Sequence, residues 1–424
     1  MKQTLRSKAW GKICLLLLLS LGLLAFGQSQ TSVKESFSTP NPAPTHYEIT
    51  PETLPPPNLG PDAENPPRVV PRPADARLRL PPGFEISTFA EGDFRNARWM
   101  ALAPNGDVFV TDADAGKVIV LRDSDGDGKA ETRFTFANDL TLPFGMAFWH
   151  DYLYVGLTNA VVRFAYKPGQ TEAQGPPEKI ADLPGRGYRQ HWTRNVVFDP
   201  AGKKLYVTVG SESNVDAETD PLRATISEYN PDGSGRRIFA GGLRNAIGLA
   251  FHPATKRLWA AVQERDRLGD DLPPDYFTEI KENGFYGWPY SYIGKNEDPR
   301  RKGERPDLVA KALAPDVLIQ AHSAVLGLVF YNGKMFPKEY RGDALIALHG
   351  SWNRSKRTGY KIIRVRFRNN KPVGGYEDFL TGWMLDENSR QVWGRPVGLL
   401  VLNDGSMLIT DDGANKIWRV TYRH

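Results

Sequence analysis

The chain has 424 residues, 40% of them hydrophobic, with 54 basic and 49 acidic side chains and a single cysteine. Residues 1–27 hold four of those basic groups and the cysteine, so beyond them the balance is 50 to 49 and no thiol remains. Such a chain lacks the basic field that nucleic acid demands, and it has no disulfides to lean on, so it must rest on its core.

In chain order, the first 27 residues read as a secretory signal. Lys2, Arg6, Lys8 and Lys12 precede an apolar run at 13–26, no acid lies among them, and Ala25 and Gly27 suit the small positions before a cleavage site. The run falls short of the roughly 20 residues a spanning helix needs. The mature protein is therefore expected in a periplasm or outside the cell, with no membrane span after cleavage. Residues 28–75 are rich in Pro, Ser, Thr, Asn and Glu and keep no period of 2 or 3.6. They are expected to form a Pro-rich tether or N-terminal wrap rather than a domain.

Residues 76–424 are almost wholly strand and turn. One phrase, an apolar run, a tight turn and a second apolar run, occurs six times: at 101–110, 145–154, 195–207, 248–259, 327–336 and 398–409. Each copy reads as a β-hairpin. Six hairpins over a region of about 350 residues imply an all-β, six-bladed β-propeller, which leaves few edges exposed. The alternating strand at 84–89 is expected to complete the last blade and close the ring. The largest insertion, 263–320, follows the fourth copy.

The polar clusters lie just before or just after these copies, positions that face one mouth of a propeller channel. The loop from Asp123 to Glu131 begins like an EF-hand but carries Phe134 at the twelfth position. It reads as a polar turn, with weak calcium binding left open. His191, ahead of the third copy, is a candidate general base, because imidazole titrates near neutrality; a hydrogen-bonded loop histidine is the alternative. Arg244 and Asn245, ahead of the fourth copy, offer a fixed cation and an amide for oxygen charge, or else a structural Arg–Asp pair. The stretch 263–272 mixes carboxylates with loop carbonyls, which suits a hard cation. His322 is a residue of the mouth or of the core. The stretch 349–361, with Arg395 ahead of the sixth copy, collects cations that suit an anionic ligand.

Taken together, 80–84 (Leu-Pro-Pro-Gly-Phe), 242–251 (Gly-Leu-Arg-Asn-Ala-Ile-Gly-Leu-Ala-Phe), 264–272, 284–289, 349–354 (His-Gly-Ser-Trp-Asn-Arg) and 394–398 (Gly-Arg-Pro-Val-Gly) resemble the soluble PQQ-dependent sugar dehydrogenases, the glucose and L-sorbosone dehydrogenase superfamily, with the sorbosone-type branch nearest. The resemblance implies pyrroloquinoline quinone (PQQ) at the channel mouth, held through calcium. It implies a catalytic group of His191 as base with Arg244 and Asn245 beside the reactive quinone carbonyl. Gln263, Arg354, Lys361 and Arg395 would contact the cofactor. The backbone carbonyls of Glu264 and Arg265 would bind calcium, with Asp270 or Asp271 joining the shell. The activity so implied is oxidation of an aldose or sugar aldehyde by hydride transfer to PQQ, with a cytochrome, quinone or dye as electron acceptor.

Three departures stand against that pattern. Ser211-Glu212 stands where the family has an Asp partner for the His, so Glu212 is a candidate to orient His191. Glu264-Arg265 replaces Gly-Pro, and Val397 replaces a second arginine near Arg395. Two other readings remain: a propeller that binds glycan or a surface partner without catalysis, and a calcium-dependent lactonase-like hydrolase.

Overall fold

The computed structural model describes residues 37–185 and 191–423. The signal expected at 1–27 lies outside the described residues. Among the described residues no helix is long and apolar enough to cross a membrane.

Six antiparallel sheets form the blades of a β-propeller. Each repeated phrase supplies the innermost strand of one blade, and all but the fifth also supply the strand that follows it; in blade 5 that second strand is Ala344–Leu348, beyond the phrase at 327–336, so this copy is not a tight hairpin. The inner strands are Ala97–Leu102, Met146–Trp149, Val196–Phe198, Asn245–Phe251, Val325–Phe330 and Pro396–Val401. Alternating apolar residues on both faces of each sheet pack against the neighbouring blades. The ring closes as expected from the alternation at 84–89. Phe84–Glu91 pairs antiparallel with Lys416–Tyr422 and completes blade 6, so the first and last strands of the propeller share one sheet. The long insertion falls within blade 4. It sends Gly284–Phe285 to the edge of blade 3 before Val317–Ile319 returns as the fourth strand of blade 4.

The inner strands crowd together at the axis, and the sequence shows how. In blades 1, 4, 5 and 6 the inner strand carries a register shift, as at Ala97/Met100 and Pro396/Leu399. A shift of this kind leaves backbone groups without ladder partners. In blades 1 and 6 a threonine of the second strand replaces them. The Trp99 N–H donates to Thr111 Oγ1 (2.9 Å), which donates to Phe144 O of blade 2 (2.9 Å). The Gly398 N–H donates to Thr410 Oγ1 (2.7 Å), which donates to Arg98 O of blade 1 (2.6 Å). Each hydroxyl thus repairs its own blade and ties it to the next. The recurrent glycine of the phrase makes the approach possible: a Cβ on Gly398 would lie 2.5 Å from Arg98 O, and those on Gly248 and Gly327 would meet carbonyls of the following blade likewise. Trp99, Phe144, Ile247, Leu326 and Val397 fill the axis as an apolar plug.

The segment expected as a tether or N-terminal wrap runs as a strap in its described part, within the same compact unit as the propeller. Ser38–Pro40 runs parallel to Leu78–Leu80, His46–Tyr47 extends the outer edge of blade 5, and Arg68–Val69 lies parallel to Gln391–Val392. Tyr47 stacks on Tyr376 with ring centroids 4.8 Å apart. A proline-rich chain cannot build a sheet of its own, but it can cover sheet edges that would otherwise be exposed.

The hub threonines are open to a direct test. Thr410→Val keeps the shape but leaves the buried Gly398 N–H unpartnered. It is expected to lower the unfolding free energy by about 1–3 kcal/mol in urea titration, with the fold retained by circular dichroism.

Candidate active site

The loops that join the inner strands on one side of the plug surround a cavity of about 950 Å³. His191, Arg244, Asn245, Gln263, Glu264 and Arg395 all line it, although they lie up to 204 positions apart in the chain. The cavity floor is the apolar plug, since Ile247 and Leu326 belong to both.

His191 follows residues 186–190, which lie outside the described residues, and adopts a left-handed backbone conformation (φ 46°). For a non-glycine residue this is uncommon and is held in place by the surroundings. Its Nδ1 lies 2.9 Å from Ser211 O and 3.0 Å from Ser211 Oγ. The carbonyl can only accept, and the hydroxyl spends its proton on Ser213 O (2.6 Å). Nδ1 therefore carries the hydrogen, and Nε2 keeps its lone pair. The partner expected in Glu212 is thus Ser211. Glu212 lines the cavity, but its backbone N–H is directed to Glu218 Oε1. Burial, and next the Arg244 guanidinium, lower the His191 imidazole to about 3. It is neutral at physiological pH.

Arg244 is buried and fixed by three acceptors. Nη1 donates to Glu264 O (2.7 Å), and Nη2 donates to Asn214 Oδ1 (2.9 Å) and Asp266 Oδ2 (3.1 Å). Asn245 donates to Gln263 Oε1 (3.1 Å), and Gln263 Nε2 donates to Val325 O (3.0 Å). Gly210 lets these groups meet, because a Cβ there would stand 2.8 Å from His191 Cβ and would overlap Asn245 Oδ1. His322 also belongs to the mouth, with φ 64° and Nε2 donating to Gly269 O (2.8 Å). Burial pulls its imidazole down, yet Asp266 and the Gly269 carbonyl hold it above the ordinary histidine value.

The opposite wall joins blades 1, 5 and 6. Arg98 is paired with Asp412, and His349 Nε2 lies 3.0 Å from both Asp412 oxygens. Arg395 Nη2 donates to His349 Nδ1 (3.0 Å). Burial, then Arg395, lower His349 to about 4. Burial alone would raise the Asp412 carboxyl, but His349, Arg98 and Arg395 hold it far below the usual range. The neutral imidazole thus orients Arg395 while Asp412 orients the imidazole. Position was the available signal here: Arg98 precedes the first copy much as Arg395 precedes the last, and Asp412 follows the second strand of blade 6.

The remaining expected site residues lie elsewhere. Lys361 is outside this cavity, ion-paired with Asp378 (2.6 Å) and set over the Tyr47 ring of the strap. Arg354 is spent on the Asp270 carbonyl and the Asp271 carboxylate. Asp270 Oδ1 takes the Ser355 N–H (3.0 Å). Arg354, Asp270 and Asp271 therefore lock two loops together, and neither they nor Lys361 line the cavity. Arg265 turns its buried guanidinium to Asp298, so only its backbone is left for a metal. Glu264 lines the cavity, and its Oε1 is buried with no partner among the described residues. Burial pushes its carboxyl up to about 8. Asp123, Asp125, Asp127 and Glu131 gather in one exposed turn far along the chain from these residues.

With Glu264 neutral, the five lining arginines (Arg98, Arg244, Arg267, Arg300, Arg395) outnumber the ionised carboxylates. Arg98 Nε, Arg244 Nε and Asn245 Oδ1 are buried without hydrogen-bond partners among the described residues. A large polar cavity with this excess of cationic side chains suits a polar, anionic ligand.

The chain matches the TrAA12-like family over residues 78–283 and 301–423. An uncharacterised protein of Borreliella burgdorferi is 31% identical over 360 residues, covering 81% of this chain and 91% of that one. The pyrroloquinoline quinone-dependent pyranose dehydrogenase of Coprinopsis cinerea is 25% identical over 289 residues, covering 54% of this chain and 39% of that longer protein. In fold, the chain is similar to the holo form of the PQQ domain of pyranose dehydrogenase from Coprinopsis cinerea, with a TM-score of 0.71 and 20% identity, covering 83% of this chain and 98% of that domain.

The buried imidazole gives a pH test. Free histidine titrates near 6.5 and folded His191 near 3, so the unfolded chain takes up the extra proton. The stabilisation is complete above pH 6.5 and is lost as pH falls from there toward 3. Unfolding free energies measured between pH 7 and 5 should fall less steeply in His191→Gln than in the wild type; equal slopes would contradict a buried neutral His191.

Proposed function

The chain belongs to the TrAA12-like family, and from that premise we propose that it is a PQQ-dependent dehydrogenase oxidising the anomeric carbon of an aldose or the hydrate of a sugar aldehyde. The observation that carries the proposal is the convergence, in one positively biased cavity, of a neutral histidine whose Nε2 keeps its lone pair and a fixed Arg–Asn pair.

The donor set fits the cofactor. PQQ is a planar quinone with three carboxylates; Arg395 and Arg98 would face the carboxylates, and Gln263, Arg244 and Asn245 its polar edge. Calcium would take the Glu264 and Arg265 backbone carbonyls, and its charge would ionise the Glu264 carboxyl, which could then serve as a further donor. When bound, PQQ supplies the two-electron acceptor for the hydride that leaves the sugar carbon. All else falls to the chain. His191 Nε2 removes the proton of the reacting hydroxyl, and Ser211 holds the ring in the tautomer that can do so. The substrate loses a hydride and a proton and leaves as lactone or acid. Arg244 and Asn245 meet the negative charge that develops across the site.

A base titrating near 3 is weak, and the second cause of its weakness is Arg244. An anionic ligand beside Arg244 offsets that field and raises the basicity of His191. The base is thereby strengthened only when the cavity is filled. Electrons leave to a cytochrome, a quinone or an artificial dye.

Reconstitution tests the whole reading. Purified protein given PQQ and calcium is expected to gain quinone absorbance and to reduce dye with at least one sugar of an aldose and pyranose panel. Chelation with EDTA should reverse both. Neither PQQ binding nor dye reduction would refute the dehydrogenase and favour a binding propeller. His191→Ala should bind PQQ as before and lose about 10²–10⁴ in kcat; undiminished turnover would remove the histidine from the chemistry.

A further inference from the structure

Trp352 stands out at the rim of the cavity. It is 39% exposed, and among the described residues it is the one exposed large hydrophobic side chain that lines the cavity. Its ring has no aromatic or cationic partner among the described residues. An unpartnered indole face in water is a standing apolar surface, and tryptophan offers it with little rotamer freedom to lose on binding.

The backbone on either side of it is, by contrast, tightly held. The N-terminal strap crosses the rim at this point. The Asn65 N–H donates to Trp352 O (2.7 Å), and Asn353 Nδ2 donates to Ala63 O (2.8 Å). Asn353 Oδ1 accepts the Arg267 N–H (2.8 Å), which joins the loop of blade 5 to that of blade 4. The loop is fixed at three points while the ring is left open to the cavity. That is the arrangement of a preorganised binding surface rather than of an idle surface residue.

We propose that Trp352 is the platform on which the substrate's pyranose ring stacks by its C–H face, and that the strap holds it in place. The proposal rests on the dehydrogenase reading for its substrate class. A sugar presents a rim of hydroxyls and two faces of C–H bonds. The polar walls of the cavity can take the hydroxyls, and Trp352 is the apolar group at the entrance that can take a face. Trp352 is thereby a determinant of specificity that favours ring sugars whose C–H face is unobstructed, and oligosaccharides that extend past the rim.

The test is a kinetic split with a binding control. In reconstituted Trp352→Ala, KM for the best sugar should rise about tenfold, equivalent to about 1.4 kcal/mol, with kcat and PQQ affinity near wild type. Trp352→Phe should recover most of the loss. An unchanged KM, or a loss of PQQ affinity in place of the KM effect, would overturn the platform. Should the wild type oxidise no sugar, the dehydrogenase reading falls, and tryptophan fluorescence of PQQ-free protein titrated with the same sugars decides the platform alone. A saturable change in the wild type that is lost in Trp352→Ala supports it, and no change in the wild type overturns it.

Discussion

The hub of the propeller is the constraint on which the rest depends. Inner strands approach so closely that glycine is required where one blade meets the next, as Gly398 meets Arg98 O. Register shifts at the same level free backbone groups, and the Thr111 and Thr410 hydroxyls satisfy them while bonding the following blade. The apolar plug seals the axis beneath. A rigid, closed hub gives every blade the same height and orientation. Loops that leave its inner strands on one side therefore converge on one cavity, and Arg98 is held at that cavity by the same carbonyl that closes the ring.

Inside the cavity, charge is arranged in two clamps. Asp412 sits among Arg98, His349 and Arg395, and Asp266 sits between Arg244 and His322. Each buried anion neutralises and aims its neighbours, since an isolated charge at such depth would be prohibitive. The two histidines His191 and His322 answer differently to burial. His191, facing a carbonyl and a hydroxyl, is driven neutral, whereas His322, facing a carboxylate, is held up. One cavity thus keeps a proton acceptor and a cationic wall side by side.

Much of this was legible in the chain. The six copies established the blade count, and the alternation at 84–89 foretold the closing strand. Positions relative to the copies bring His191, Arg244, Asn245, Gln263 and Arg395 into one group. What misled was local similarity of charge. Lys361 and Arg354 carry the same charge as Arg395 and lie in a neighbouring cluster, yet Asp378 and the Asp270–Asp271 loop claim them. Glu212 stood next to the right residue, while the Ser211 carbonyl, invisible as a side-chain pattern, took the role. A backbone acceptor leaves no signature in residue type.

The chain by itself determined the repeat, the closure and the residues at the blade entrances, because hydrophobic alternation and turn chemistry are local and recur with the fold's own period. Tertiary structure alone decided which charges remain free for a ligand. A salt bridge is chosen by distance between groups far apart in sequence, and the proline-rich strap, with no period of its own, acquires its course only from the sheet edges and loops it covers. That course is what pins Asn353 and leaves Trp352 open at the rim.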